Sequence, residues 1–433
     1  LTPRVRRLID TAAFRRLAHI SQLGRVSLVY PAAIHTRFEH ALGVYRLGLI
    51  YLKQLCHDER FAAVVTPADA ELFIVAALLH DLGHWPFCHP IEDISLDDVP
   101  NHERFANSFL LTGEIADALR DDWRIEPASV VALLSEKPSD KKGRILASLL
   151  SGPIDVDKTD YLMRDSLHAG VPYGRNFDQG RLIGSLCLNE AGDALAISEK
   201  GKTAAEMLVF ARYVMFSEVY WHHGVRSATA MLQRAFYLMH GSLDLDRLFR
   251  QTDAHFIEEL QAAACSGPAH DLIDGLFGPT RRLFKRVAQF SFFEQREIYL
   301  RLARRPYPWL AACAEQFAEL VGAALGRAVA PHEILFDAPP VGREVEFNID
   351  VYFLKERRYR PLGEISPVVR TLAERQFDDY VKRVRIFAAP QLARDLRALS
   401  SLPHLLEYAI DHTDLASITL VGKAPGLERP TPK

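Results

Sequence analysis

Hydrophobic positions along this chain fall mostly at helical spacing. After Glu39-His40, the residues Leu42, Tyr45, Leu49 and Leu52 recur every three or four positions, which predicts an amphipathic helix. A second helix is bounded more sharply. Thr66 is its expected N-cap, Pro67 takes the first helical position, and an apolar run continues until Gly83 ends it. His80-Asp81 therefore sits at a helix C-terminal end. Residues 101–112 (NHERFANSFLLT) predict a short helix capped by Asn101, with His102 in its first turn.

The pattern then changes twice. RLIGSLCLNEAGDALAISEK (181–200) holds two short apolar runs separated by a polar turn, which predicts a β-hairpin. Helical spacing resumes from 203 to 328, with a loop around Cys265-Ser266-Gly267-Pro268. Further on, EILFDAPP, NIDVYFLK, RPLGEIS and KRVRIFAAP read as strands around a helical stretch at 366–381. The expected architecture is mainly α. It comprises a helical body over 1–328 with the small hairpin, a smaller α+β lobe over 329–422, and a disordered tail over 423–433.

Composition changes this picture only at its edges. A balance of 52 Lys+Arg against 55 Asp+Glu excludes a strongly basic nucleic-acid clamp but leaves room for a local basic pocket. The longest apolar run, Leu72–Leu79, is eight residues, too short for a membrane span. No signal peptide is expected in LTPRVRRLID, and the start at Leu1 reads as a chain lacking some of its native N-terminus. Five cysteines, an odd number with no CxxC pair, argue against a disulfide scaffold and for a reducing cytoplasm.

Histidines carry the chemistry. Eight of 17 lie in the first 102 residues, at 19, 35, 40, 57, 80, 84, 89 and 102. Taken singly, each reads as a surface or satisfied core histidine. His80-Asp81 is harder to dismiss, because a carboxylate closing an apolar helix is costly to bury unless a cation meets it. A second acidic cluster, DVDKTDYLMRD (155–165), puts Asp157, Tyr161 and Asp165 on one helical face; Arg212, Phe216 and Tyr220 form another such row. Solvated or half-buried faces explain both rows equally well. Periodicity alone thus yields a helical protein with a His/Asp site suited to Mn, Fe, Zn, Co or Mg.

The order His40…His80-Asp81…Asp157 resembles the H…HD…D signature of the HD-domain phosphohydrolases. IDTAAFRRLAHISQLG, HTRFEHALGV, LLHDLGHWPFCH, NHE and IDVDKTDYLMRD follow one another as in the deoxynucleoside triphosphate triphosphohydrolases of that superfamily, including the SAM- and HD-domain enzyme. The likeness is strong over 1–240 and continues into EISPVVRTLAERQFDDYVKRVRIF. It implies one divalent ion on His40, His80, Asp81 and Asp157, with a second Mg on the substrate phosphates as a further option. It implies that His84 and His89 lie along those phosphates, that His89 or His102 is the acid, and that Glu103 is an acidic neighbour. Arg37, Lys158 and Arg212 match phosphate contacts, and Tyr161, Asp165 and Tyr220 match deoxyribose contacts. Gln22 and Leu23 match residues near the 3′-hydroxyl and base. Phe216 departs from the pattern, standing where the SAM- and HD-domain enzyme has a histidine.

The resemblance implies hydrolysis of a dNTP at the α-phosphorus, releasing deoxynucleoside and triphosphate, by a homo-oligomer. Hydrolysis of nucleoside mono- or diphosphates is an alternative. So is a non-catalytic nucleotide sensor or single-stranded nucleic-acid binder. In the SAM- and HD-domain enzyme a guanine nucleotide binds between subunits, on an aspartate, a glutamine and an arginine before the QLG motif. Here Asp10 matches, but Arg15 and Ala18 replace the other two, so activation by GTP is not expected.

Overall fold

A computed structural model describes residues 1–135, 138–265, 267–341, 348–374 and 381–414. Helices dominate, as the apolar spacing predicts. Helix α1 (Arg37–Leu55) buries His40, Ala41, Val44, Leu47, Tyr51, Leu52 and Leu55 along one stripe. Helix α2 (Pro67–Leu79) starts at a capping box, in which the Thr66 hydroxyl accepts from Asp69 N and Thr66 N donates to the Asp69 carboxylate. It ends at Leu79, delivering His80-Asp81 to the turn that follows. Helix α3 (Cys88–Glu92) and helix α4 (His102–Phe105) are short, and the Asn101 side chain caps the second by accepting from Glu103 N at 2.6 Å. Helix α5 (Val156–Ala169) crosses α1, and Tyr51 OH bonds both Ile154 O and Thr159 Oγ1 at 2.9 Å.

Two glycines allow the approach that builds the site. A Cβ on Gly43 would lie 2.1 Å from Asp160 Oδ1, and one on Gly83 would lie 2.1 Å from the His102 carbonyl oxygen. A larger residue at Gly43 would displace the Asp160 carboxylate and the Arg164 guanidinium, and one at Gly83 would push α4 away from the His80-Asp81 turn.

Helix α6 (Lys202–Val214) runs into a π-helical turn at 215–220, and helix α7 (His223–Met239) is buried along most of its length. Strands β1 (Leu186–Leu188) and β2 (Leu195–Ser198) form the expected hairpin. Residues 181–183, expected at its start, belong instead to a helical turn, Gln179–Ile183, capped by Asp178. Strand β3 (Lys285–Phe290) corrects the helical reading of that stretch. Its ladder with a strand about a hundred residues downstream outweighs a local pattern that looks helical. Strands β4 (Ile334–Asp337), β5 (Asp350–Phe353), β6 (Arg358–Pro361) and β7 (Val384–Ala388) lie in the expected runs. In RPLGEIS, however, Pro361 ends the strand and Leu362–Ile365 turns helical.

The sheets join distant parts of the chain. One runs β1-β2-β5-β6, with β2 and β5 parallel; the other runs β3-β7-β4, antiparallel. Strands on both sides of residue 328 therefore share each sheet. The tail over 423–433 and part of the 366–381 helix lie outside the described residues. Among the described residues, no helix is long and apolar enough to cross a membrane.

Candidate metal centre and active site

Four side chains converge where α1, the end of α2 and the start of α5 meet. His40 Nε2 lies 3.2 Å from His80 Nε2 and 3.0 Å from Asp157 Oδ1. His80 Nε2 is 3.4 Å from Asp81 Oδ1 and 3.7 Å from Asp157 Oδ1. The far sides of both rings are already committed. His40 Nδ1 faces Asp160 Oδ2 at 2.8 Å, and His80 Nδ1 faces the Ala77 carbonyl at 2.9 Å. A carbonyl and a carboxylate both accept, so each ring carries a proton on Nδ1 and turns Nε2 into the same space, where a metal would replace any second proton. Two Nε2 atoms 3.2 Å apart with Asp81 and Asp157 beside them form a pocket that calls for positive charge, so the residues present fit a divalent metal.

The charges agree. Burial opposes ionisation of Asp81, but Arg37, His80 and His40 outweigh it and hold its pKa below the usual carboxylate range. Arg37 Nη1 donates to Asp81 Oδ2 at 2.9 Å. Burial alone would lower His40, yet Asp157 and Asp160 push it up to about 10, the mark of a pocket that favours positive charge. Asp157, with 34% of its side chain exposed against 1–15% for the other three, is where the pocket opens.

A second histidine group adjoins the first. His84 Nδ1 is 3.1 Å from Asp81 Oδ1, and the His84 ring lies 4.0 Å from that of His102 and 5.1 Å from that of His89, centre to centre. Burial, with Arg37 and the neighbouring imidazoles, pushes His84 well below its ordinary pKa, so it is neutral at pH 7. Glu92 organises the other two. Its carboxylate takes His102 Nδ1 at 2.8 Å and the His102 backbone N–H at 2.6 Å, and lies 3.5 Å from His89 Nδ1. Phe87, just before α3, holds a left-handed φ of 55°, a strained conformation that aims Cys88 and His89 at this group. Glu103 stands exposed beside His102, outside these contacts.

On the α5 side, Asp165 is clamped. Its Oδ1 meets His35 Nε2 at 2.8 Å, and its Oδ2 accepts from Tyr220 OH at 2.6 Å. Burial, with Asp165, Tyr161 and Asp157, raises the Tyr220 phenol well above its ordinary pKa, so the row Asp157-Tyr161-Asp165 faces Tyr220. Lys158 Nζ reaches Asp155 Oδ2 at 2.6 Å, close to the Arg212 charge. The Arg212 guanidinium lies 5.6 Å from the Phe216 ring centre, and that ring meets Tyr220 edge-on at 5.0 Å. The row Arg212-Phe216-Tyr220 thus starts on α6 and ends in the π-helical turn, a distortion common at functional sites. Gln22 and Leu23 lie on a loop tied alongside residues 35–37 by Gln22 N to His35 O and Arg37 N to Ile20 O, both 3.0 Å.

Sequence reasoning missed three residues of this arrangement. Asp160, which is also held by Arg164, orients His40; Glu92 orients His102; and His35 holds Asp165. The spacings Asp160…Arg164 and His89…Glu92 were readable as helical pairs, but their long-range partners were not.

The chain matches the HD domain model over residues 37–162 and the HD associated region model over 177–400, the latter more than half of its length. It is 29% identical over 398 residues to Uncharacterized protein MJ1154 of Methanocaldococcus jannaschii, covering 90% of this chain and 77% of that one. It is 34% identical over 251 residues to Uncharacterized protein YwfO of Bacillus subtilis, 58% of this chain and 55% of that one. To the deoxynucleoside triphosphate triphosphohydrolase SAMHD1 of Gallus gallus it is 30% identical over 267 residues, 54% of this chain and 42% of that one. It spans about half the length of those last two relatives. A solved structure of a hypothetical protein from Aquifex aeolicus shares 28% identity with a TM-score of 0.71, over 92% of this chain and 95% of that one. A phosphohydrolase from Bacteroides thetaiotaomicron shares the fold at 23% identity and a TM-score of 0.63, over 88% of this chain and 94% of that one. With its His-His-Asp-Asp box inside the matched segment, this chain belongs to the HD-domain family, in the branch that carries the HD-associated region.

Proposed function

We propose that the protein hydrolyses deoxynucleoside triphosphates to deoxynucleoside and inorganic triphosphate. The observation that carries this reading is the α5 row. A metal ligand, Asp157, stands about 12 Å along the helix axis from Asp165, with Tyr161 between them and Tyr220 closing the far end. That length suits a phosphate chain at one end and a sugar at the other. Arg37, paired with Asp81, and Lys158, paired with Asp155 and near Arg212, gather toward the metal end, and this positive charge supports a phosphate chain there. The SAMHD1 relatives named for this activity favour it too.

When bound, a divalent ion supplies polarisation of a phosphoryl oxygen and acidifies water. The chain supplies the rest. Arg37 and Arg212 grip phosphate oxygens, and Lys158 adds a point charge. His84, neutral, donates or accepts without adding charge. Glu92 keeps His89 or His102 oriented, so that either one can pass a proton to the departing 5′-oxygen as the bond to the α-phosphorus breaks.

Incubation with dATP, ATP, dADP and dAMP, with nucleoside and triphosphate separated chromatographically, tests the reading. Triphosphate from dATP is expected; orthophosphate from the mono- or diphosphate would support a different HD phosphohydrolase. If Tyr161 lies under the deoxyribose, dATP should exceed ATP in kcat/KM by up to about 10²-fold, and Tyr161→Ala should narrow that gap. Equal rates in the wild type would remove Tyr161 from the sugar site.

Activation by GTP is not expected. The segment before the QLG motif is broken, with helix Pro3–Ile9 ending at Asp10 and helix Ala12–Arg16 passing into a 3-10 turn that includes Ala18. Arg15 is exposed, its guanidinium 5.5 Å from the Phe38 ring centre, and Ala18 offers no fork for a guanine or its phosphates. Rates on one dNTP with and without excess GTP should agree within about twofold, well inside what a 1–3 kcal/mol coupling would produce. A large jump accompanied by assembly would show that Ala18 does not decide activation.

A further inference from the structure

Beside the metal box, Cys88, His84 and His102 each present one donor atom, and the three atoms lie within 4.8 Å of one another. None of them belongs to the His40-His80-Asp81-Asp157 set. A tetrahedral zinc ion with sulfur at about 2.3 Å and nitrogen at about 2.1 Å places its donors roughly 3.5 Å apart, so side-chain shifts of about an ångström close the ring. Sulfur with two imidazoles is a soft-to-borderline set that selects Zn²⁺ or Cd²⁺ over Mg²⁺ or Mn²⁺.

The surroundings hold these donors together: the Cys88 thiol is hydrogen-bonded to Glu92, which also holds His102, and His84 Nδ1 stands 3.1 Å from Asp81 Oδ1. Cys88 is 1% exposed and set in place by the apolar cluster around Trp85 and Ile91. His84 is 4% exposed, and its Nδ1 makes no hydrogen bond of good geometry among the described residues. Glu92 occupies Nδ1 of His102 and leaves Nε2 open.

We infer that Cys88, His84 and His102 form a second, inhibitory site for a thiophilic divalent cation. Binding forms one metal–sulfur and two metal–nitrogen bonds and releases the thiol proton to solvent. It also withdraws two imidazoles from the substrate phosphates, so hydrolysis stops while the ion in the metal box stays. That inhibition rests on the proposed phosphohydrolase activity; the binding does not. A competing arrangement of His89, Glu92 and His102 is equally compact but holds no sulfur.

Sulfur makes the test. The Mn²⁺-loaded protein is titrated with Cd²⁺ while the ultraviolet thiolate-to-cadmium charge-transfer band is followed, and Zn²⁺ inhibition of hydrolysis is measured in parallel. Wild type is expected to gain the band with one equivalent. Cys88→Ser should lose it, require at least about tenfold more Zn²⁺ for half-inhibition, and keep its rate in Mn²⁺ alone. Cys88→Ala repeats the measurement without a hydroxyl. Zn²⁺ inhibition unchanged in both variants would put the ion on His89-Glu92-His102 or in the metal box and overturn the proposal. An equal band in both variants would assign it to the exposed Cys56 and Cys265, and would overturn the proposal as well. The Cys88-dependent band in a protein without hydrolysis would uphold the site and remove the phosphohydrolase reading instead.

Discussion

His80→Ala and Asp157→Ala should each strip the resident divalent ion and reduce hydrolysis to background, with the far-ultraviolet circular dichroism close to wild type. Each change removes one of four donors from a pocket whose remaining groups are charged or polar and face one another at 3–4 Å. Neither residue holds the core. His80 follows the last residue of α2, and Asp157 is partly exposed on the first turn of α5, whose N-cap is Asp155. Asp160→Ala is the instructive contrast. It spares all four donors but frees the His40 ring, so metal affinity should fall by about 10- to 100-fold, and added metal should restore activity. Metal content by elemental analysis, alongside hydrolysis across a metal titration, reads both effects. A His80→Ala protein with full metal and full rate would mean that the four residues are not the metal box.

The parts of this site that could be read from sequence are those whose chemistry is local. Thr66 and Pro67 start α2 as capping predicts, and the helix stops at Leu79, just before His80-Asp81; Gly83 serves the close packing of α4 and does not cap the helix. The i, i+4, i+8 row on α5 is likewise local. Asp160 was hidden because it faces α1 rather than that row, and its value comes from a ring 120 residues earlier. Gly43 was hidden for the same reason, since only the crossing of α1 and α5 sets a side chain there against Asp160 and Arg164. Strand β3 has no punctuating Gly or Pro within KRVAQF, and its partner β7 lies far along the chain. The parallel pairing of β2 with β5 left no trace in either segment. Long-range pairing, not local propensity, decides these elements.

Asp337→Ala should be strongly destabilising although it lies away from the metal box, by about 3–5 kcal/mol. Asp337 ends β4 with its side chain fully buried, and it accepts from Arg226 of α7 at 2.6 Å through Nη2 and at 3.1–3.2 Å through Nε. Across the β4–β7 ladder it stands opposite Arg385, also buried. Burial lowers the pKa of Arg385 to about 10, with Asp337 opposing the drop and Arg226 adding to it. The carboxylate thus pairs directly with Arg226 and offsets the charge of Arg385, whose Nε donates to Gln289 Oε1 at 3.0 Å; its loss leaves one buried guanidinium without its pair and the other without a nearby counter-charge. Arg226→Met is a milder change. It leaves Asp337 facing Arg385 and gives up a bidentate contact together with the guanidinium's 4.0 Å stacking on Trp221. Urea unfolding should therefore place Arg226→Met well above Asp337→Ala in midpoint. Equal midpoints would mean that Arg385 does not depend on this carboxylate. The carboxylate would then answer to Arg226 alone, and α7 would be anchored to the β3-β7-β4 sheet through a simple pair.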